Sequence, residues 1–132
     1  MIHLLDANVL IAMSIAEHEH HARVSSWLST IDRVAVCPIV EGSLVRFLVR
    51  VGETAAAAQQ VLRALRAEPR CEFWADDLSF TDADIGHVRG HRQVTDGYLA
   101  ALTATHDDAL LATLDEGLTR VRPTLTLLVP PL

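Results

Sequence analysis

The sequence predicts an α/β fold: a parallel sheet of about five strands flanked by helices, in a single domain spanning residues 1–132. Three observations predict it. Short apolar runs recur along the chain, and the intervals between the first four are each about thirty residues, the length of a strand–helix–strand crossover. Helix-periodic stretches fill the intervals. Half of the 132 residues are hydrophobic while Gly and Pro number only 6 and 5, so a packed core is expected rather than disorder or a fibrous repeat.

Taken in order, the strands are IHLL (2–5), RVAVC (33–37), CEFW (71–74), ALLAT (109–113) and TLTLLV (124–129). Each is short, rich in aliphatic or β-branched residues, and without the polar alternation of a one-sided sheet, as parallel strands covered on both faces require. Helices are expected over 7–14, 19–30, 39–50, 54–67, 81–89 and 95–106, with a short turn near 115–119. Pro38 suits the first turn of the helix carrying IVEGSLVRFLVR, because its missing N–H is one that no helical carbonyl would accept. Thr54 is placed to cap TAAAAQQVLRALRA, and Thr81 with Asp84 forms a capping box for the segment after it.

Composition narrows the function. No apolar stretch reaches the ~20 residues that span a bilayer, and the first residues lack the basic start and small-residue cleavage site of a signal peptide, so a cytoplasmic protein is expected. Cys37 and Cys71 sit among apolar residues at no zinc-site spacing and read as reduced core residues. The net charge is −6, yet residues 46–70 carry Arg46, Arg50, Arg63, Arg66 and Arg70 against Glu53 and Glu68. Every basic residue is Arg and none is Lys, which favours bidentate contact with phosphate.

Four carboxylates fall where the pattern asks for core or for a strand end. Asp6 directly follows strand IHLL, and Asp115 follows strand ALLAT after one residue. Each could cap a helix, but both lie past the carboxyl ends of parallel strands, where α/β sheets form their binding crevice. Glu41 has Leu44, Val45 and Leu48 at helical spacing, so it projects from the apolar stripe of its own helix. Asp96 has Leu99, Ala100 and Thr103 at the same spacing, in a first helical turn that favours the ionised form. Carboxylates held together raise one another's pKa and stay ionised only with a cation among them. All-oxygen ligation suits Mg²⁺ or Mn²⁺, and the chemistry implied is metal-assisted phosphoryl transfer.

With these residues in place, LLDANVLIA, PIVEGSLVRFL and VTDGYLAALTATHDDALLATLDEGL, in this order and over nearly the whole chain, resemble a PIN domain of the VapC toxin type. The resemblance implies a metal-dependent endoribonuclease, the toxin of a toxin–antitoxin pair, that hydrolyses RNA through a Mg²⁺- or Mn²⁺-activated water. It assigns Asp6, Glu41, Asp96 and Asp115 to the metal site and Asn8 and Thr113 to supporting positions. Arg46, Arg50 or arginines of the next helix are candidate RNA contacts. A homodimer and a VapB-like antitoxin are the implied partners, with the apolar residues of helices 39–50 and 54–67 as the surface the antitoxin covers. Glu116 competes with Asp115 for the fourth position; Asp107 and Asp108 precede strand ALLAT and belong at the opposite edge.

Other readings are weaker. His18 and His21 share a helical face but have no third zinc ligand at a usual spacing. His87 and His91 are four apart, yet Gly86 and Gly90 argue against a regular helix between them. Trp27, Phe47 and Tyr98 are expected in the core or at an interface. Ser25 and Ser26 lack a nucleophile elbow, no glycine-rich phosphate loop follows the first strand, and an aspartyl-phosphate site would want a lysine. The remaining rival is a PIN-like interaction module without catalysis, which would have no need to keep four costly carboxylates.

Overall fold

The computed structural model describes residues 1–132. Five parallel strands, β1 (Ile2–Leu5), β2 (Val34–Val36), β3 (Cys71–Phe73), β4 (Ala109–Thr113) and β5 (Thr126–Leu128), form one sheet in the order β3-β2-β1-β4-β5. All five expected strands form, three of them trimmed at their ends. The central strand β1 is buried along its whole length, which is why IHLL shows no polar alternation. Helices α1 (Ala7–Ser14), α2 (His21–Leu28), α3 (Pro38–Arg50), α4 (Ala55–Arg66), α5 (Val94–Ala104) and α6 (Glu116–Val121) cover the sheet.

One core runs through the molecule. Leu4, Leu5, Val9 and Leu10 meet Val34, Val36, Leu44, Leu99, Leu102 and Leu111 in a single cluster of 27 buried residues. Trp27 and Tyr98 are buried, and the Tyr98 hydroxyl donates to the Leu78 carbonyl at 2.8 Å, so Tyr98 is a packed residue and not a base-stacking platform. Cys37 and Cys71 are free thiols; burial pushes the Cys37 thiol up to about 12, with Asp76 adding to the rise. No helix is long and apolar enough to cross a membrane.

Helix starts follow the expected chemistry in most places. Thr54 caps α4 by accepting from the Ala57 N–H, and Pro38 occupies the first turn of α3. Gly52, at φ 102°, supplies the left-handed turn between those helices that a side chain would resist.

The helix expected over 81–89 does not form, and this is a correction. Thr81 and Asp84 make no capping box: the Ser79 hydroxyl accepts the Thr81 N–H, and the Ser79 carbonyl takes the N–H groups of Asp82 and Ala83. That closes one turn and stops there. Gly86 and Gly90 lower helical propensity further, and the segment is held by packing: Ile85 and Val88 close on Gly97 of α5, where an added Cβ would come within 2.9 Å of Val88 Cγ2. Two smaller shifts accompany it. Helix α2 starts at His21 rather than residue 19, and the turn expected near 115–119 is helix α6.

Candidate active site

In the order β3-β2-β1-β4-β5 the chain steps outward on one side of β1 and then on the other, so the strand order reverses between β1 and β4. Connections leaving these two strands diverge and open a crevice at their carboxyl ends. Asp6 and Thr113 flank that opening. Asp6 is only 3% exposed; its Oδ1 accepts from the Ala7 N–H at 2.7 Å and its Oδ2 from the Thr113 hydroxyl at 2.7 Å. Thr113 Oγ1 in turn accepts from the Asp115 N–H at 3.0 Å and from Asn8 Nδ2 at 3.4 Å, while Asn8 Oδ1 accepts from the Leu114 N–H at 3.1 Å. The loop ends of β1 and β4 are thus tied together by side chains, which fixes the carboxylates between them.

Capping and site geometry coincide here. Asp6 caps α1, and Asp115 caps α6 by accepting from the N–H groups of Gly117 at 2.8 Å and Leu118 at 3.2 Å. Both accept through Oδ1, so the Asp115 Oδ2 makes no hydrogen bond. A cavity of about 300 Å³ lies beside it, lined by Asp96, Gly97 and Asp115 together with His87, Gln93 and Arg120. Asp96 stands in the first turn of α5 as expected. Its carboxyl is raised to about 7, by burial first and by the charges of Asp6 and Asp115 in the same direction. Asp6 is also raised, by burial first, against the opposing hydrogen bonds of Thr113 and Ala7.

Glu41 is set apart from these three. It sits beside Val40 and Leu44 at the edge of the buried stripe of α3, not within it, and its carboxyl is raised by burial, lowered by Arg66 and raised by Asp76. The α3–α4 hairpin brings Gln59, Leu62, Arg63 and Arg66 beside it, lining a second depression. No three carboxylate, imidazole or thiol groups already converge closely enough to enclose an ion. Asp6, Asp96 and Asp115 act on one another electrostatically; Glu41 answers to Arg66 and Asp76.

Asp76 escaped the sequence reading. It follows β3 after Trp74 and Ala75, and the run CEFWADD repeats the strand-then-acid pattern that singled out LLD and ATLD. Its Oδ2 accepts the Ile39 N–H at 3.1 Å, capping α3 from a distant strand end, since Cys37 makes no side-chain cap. Its Oδ1 is buried without a partner.

The remaining candidates are placed as follows. Arg46 and Arg50 are exposed, with the Arg50 guanidinium 5.7 Å from the Phe47 ring; Arg63 and Arg66 of α4, not these two, lie beside Glu41. Glu116 is exposed and 3.9 Å from Arg120, outside the lining that Asp115 belongs to. Asp108 pairs with the terminal amine of Met1 at 3.1 Å. His21 Nδ1 meets the Ala12 carbonyl at 2.8 Å and His18 Nδ1 accepts from the His20 N–H at 3.0 Å, so these imidazoles serve the α1–α2 connection.

Comparison with known proteins agrees with this architecture. The PIN domain family model matches residues 3–122. Ribonuclease VapC29 of Mycobacterium tuberculosis is 52% identical over 128 residues, covering 96% of each chain. Ribonuclease VapC38 of the same organism is 38% identical over 121 residues, covering 86% of this chain and 85% of the relative. The crystal structure of VapBC2 from Rickettsia felis bound to a DNA fragment from their promoter is similar with a TM-score of 0.66, covering 96% of this chain and 98% of the other; at 16% identity this likeness concerns the fold alone. The chain belongs to the PIN domain family, among its VapC ribonucleases.

Proposed function

We propose that this protein is a divalent-metal-dependent endoribonuclease, the toxin of a toxin–antitoxin pair, with Asp6, Glu41, Asp96 and Asp115 as its metal-site carboxylates. The observation that carries the reading is the grouping of Asp6, Asp96 and Asp115 at the crevice between β1 and β4, where burial and the charges of Asp6 and Asp115 raise the Asp96 carboxyl to about 7. Groups so arranged favour a bound cation over three separate charges.

The donor set fits Mg²⁺ or Mn²⁺. Every candidate ligand is an oxygen, and Mg²⁺ takes only one or two direct carboxylates while keeping several waters, which suits the pair Asp96 and Asp115 without requiring all four acids in contact. When bound, such an ion supplies a water of lowered pKa and neutralises charge on the transferring phosphoryl group. The chain's own residues do the positioning. Thr113 holds Asp6 in one orientation through Oδ2, Asn8 holds the β4–α6 corner, and the first turn of α5 presents Asp96 to the crevice. Arg63 and Arg66 beside Glu41 offer guanidinium groups to the RNA backbone, a better-placed pair than Arg46 and Arg50. In-line hydrolysis leaves a 5′ phosphate and a 3′ hydroxyl.

The same acidic crevice suits an arginine of an antitoxin of the VapB kind, which would neutralise the carboxylates in place of a metal. A homodimer is the assembly that accompanies this reading. Cleavage of single-stranded RNA in Mn²⁺, compared between wild type, Asp6→Asn and Asp96→Asn, tests it. Both variants should fold and lose cleavage, and EDTA should abolish wild-type activity; undiminished cleavage in any of the three cases would sink the assignment.

A further inference from the structure

Around the cavity lined by Asp96 and Asp115 stand His87, Gln93 and Arg120, none of them part of the carboxylate set. Their hydrogen-bonding atoms are not equally free. Gln93 Oε1 accepts from the N–H groups of Arg89 at 2.8 Å and Gly90 at 3.2 Å. Both partners are donors, so the amide must turn its oxygen to them, and its NH₂ group is left over. His87 Nδ1 faces the guanidinium of Arg122, which has donors only. That contact makes Nδ1 the acceptor and leaves the ring hydrogen on Nε2. Arg122 is itself anchored to Asp84, by the carbonyl at 3.0 Å and the carboxylate at 3.2 Å, so the imidazole is oriented from behind.

Arg120 adds a guanidinium whose only ion pair is the loose, exposed one with Glu116. The rim therefore has its acceptors used up by the protein and its donors left open, against a wall formed by two carboxylates. A surface of that kind discriminates: it offers hydrogen bonds to an anion and none to a donor group, except at Asp96 and Asp115.

We infer that His87, Gln93 and Arg120 form a phosphate-binding subsite that seats a phosphodiester of the RNA strand beside Asp96 and Asp115. The inference rests on the ribonuclease reading for the identity of the anion. The non-bridging oxygens accept from His87 Nε2–H, the Gln93 amide and the Arg120 guanidinium, while Gly97, which has no side chain, lets the 85–88 segment bring His87 to the cavity. Glu in place of Gln93 would keep an oxygen for Arg89 and Gly90 and convert the free donor into an acceptor. That isolates the recognition role from the role in the loop.

The test is binding of a fluorescent 2′-O-methyl oligoribonucleotide by anisotropy, with its integrity checked on a gel, for wild type, Gln93→Glu, His87→Ala and Arg120→Gln. Each variant should bind about tenfold more weakly at fixed salt, as expected when a hydrogen bond to a charged group is lost. Arg120→Gln alone should also reduce the slope of log affinity against log salt by about 0.7, the single-strand value for one phosphate contact. On cleavable RNA, KM should rise by a similar factor in each variant. Wild-type affinity in Gln93→Glu, whose loop hydrogen bonds are retained, together with wild-type affinity in His87→Ala would overturn the subsite. If the wild type binds RNA but does not cleave it in Mn²⁺, the ribonuclease reading fails while the subsite stands.

Discussion

The Thr113 hydroxyl donates a buried 2.7 Å hydrogen bond to Asp6 Oδ2, joining the end of β4 to the end of β1 across 107 positions of sequence. The same oxygen accepts from the Asp115 N–H, so one hydroxyl sets two of the four carboxylates. Replacing it with the isosteric Val should leave Asp6 with a buried, unpaired oxygen and cost about 1–3 kcal/mol in denaturant unfolding. Thr113→Ser should recover most of that loss and most of the cleavage rate. Equal stability and activity in Thr113→Val would mean the bond does no positioning.

Asp96 makes stability depend on pH in a direction opposite to that of most surface acids. Its folded-state value of about 7 lies above the ordinary 3.8, so between these limits the folded chain holds a proton that the unfolded chain has released. Stability from this residue is therefore complete below about pH 3.8, falls as pH rises toward about 7, and is level above it. Metal-free protein should melt lower at pH 8 than at pH 5 to an extent that Asp96→Asn reduces, and Mn²⁺ should raise the melting temperature at pH 8 in wild type more than in the variant. Thermal melts at the two pH values, with and without Mn²⁺, measure all four quantities.

Asp76 caps α3 through Ile39, two residues before Glu41. Asp76→Ala should cost about 1 kcal/mol, the usual loss of a helix cap, and should lower kcat through the displaced Glu41 more than it raises KM. Asn at the same position keeps an oxygen for the Ile39 N–H and should restore the stability. A variant pair with identical unfolding curves would show that the cap carries no weight.

Gly97 admits the 85–88 segment against α5. A Cβ there would approach Val88 Cγ2 to 2.9 Å and Ile85 Cγ2 to 3.4 Å, and a β-branched valine has little freedom to retreat. Gly97→Ala would gain helix propensity worth about 1 kcal/mol but lose more to overpacking, about 1–3 kcal/mol. The expected result is a small net loss of stability with a larger loss of RNA binding, because His87 moves with the segment. Unchanged affinity would separate the segment from the site.

Asp6, Asp96 and Asp115 were legible because each breaks a local pattern: an acid at a strand end, or an acid in the first turn of an apolar helix. Arg63 and Arg66 were visible as charge but not as neighbours of Glu41, since that contact depends on how α4 folds back on α3. Asp76 carries the same strand-then-acid signal as Asp6, and only the course of β3 beside β2 reveals that it caps another helix. The helix expected over 81–89 failed because its local cues, a Thr and an Asp three apart, were weaker than the Ser79 turn and the packing of Ile85 and Val88 on Gly97.

The strands, the parallel rhythm and the position of four unusual acids are encoded locally, because periodicity and charge pattern are properties of neighbours along the chain. Long-range packing sets β1 and β4 side by side with the reversal of strand order between them, brings Thr113 to Asp6, and places Glu41 with Arg66 rather than with Asp96. It also decided which atoms of His87 and Gln93 remain free to bind. Such facts come from residues distant in sequence competing for the same hydrogen bonds and the same space, and no local pattern encodes the outcome.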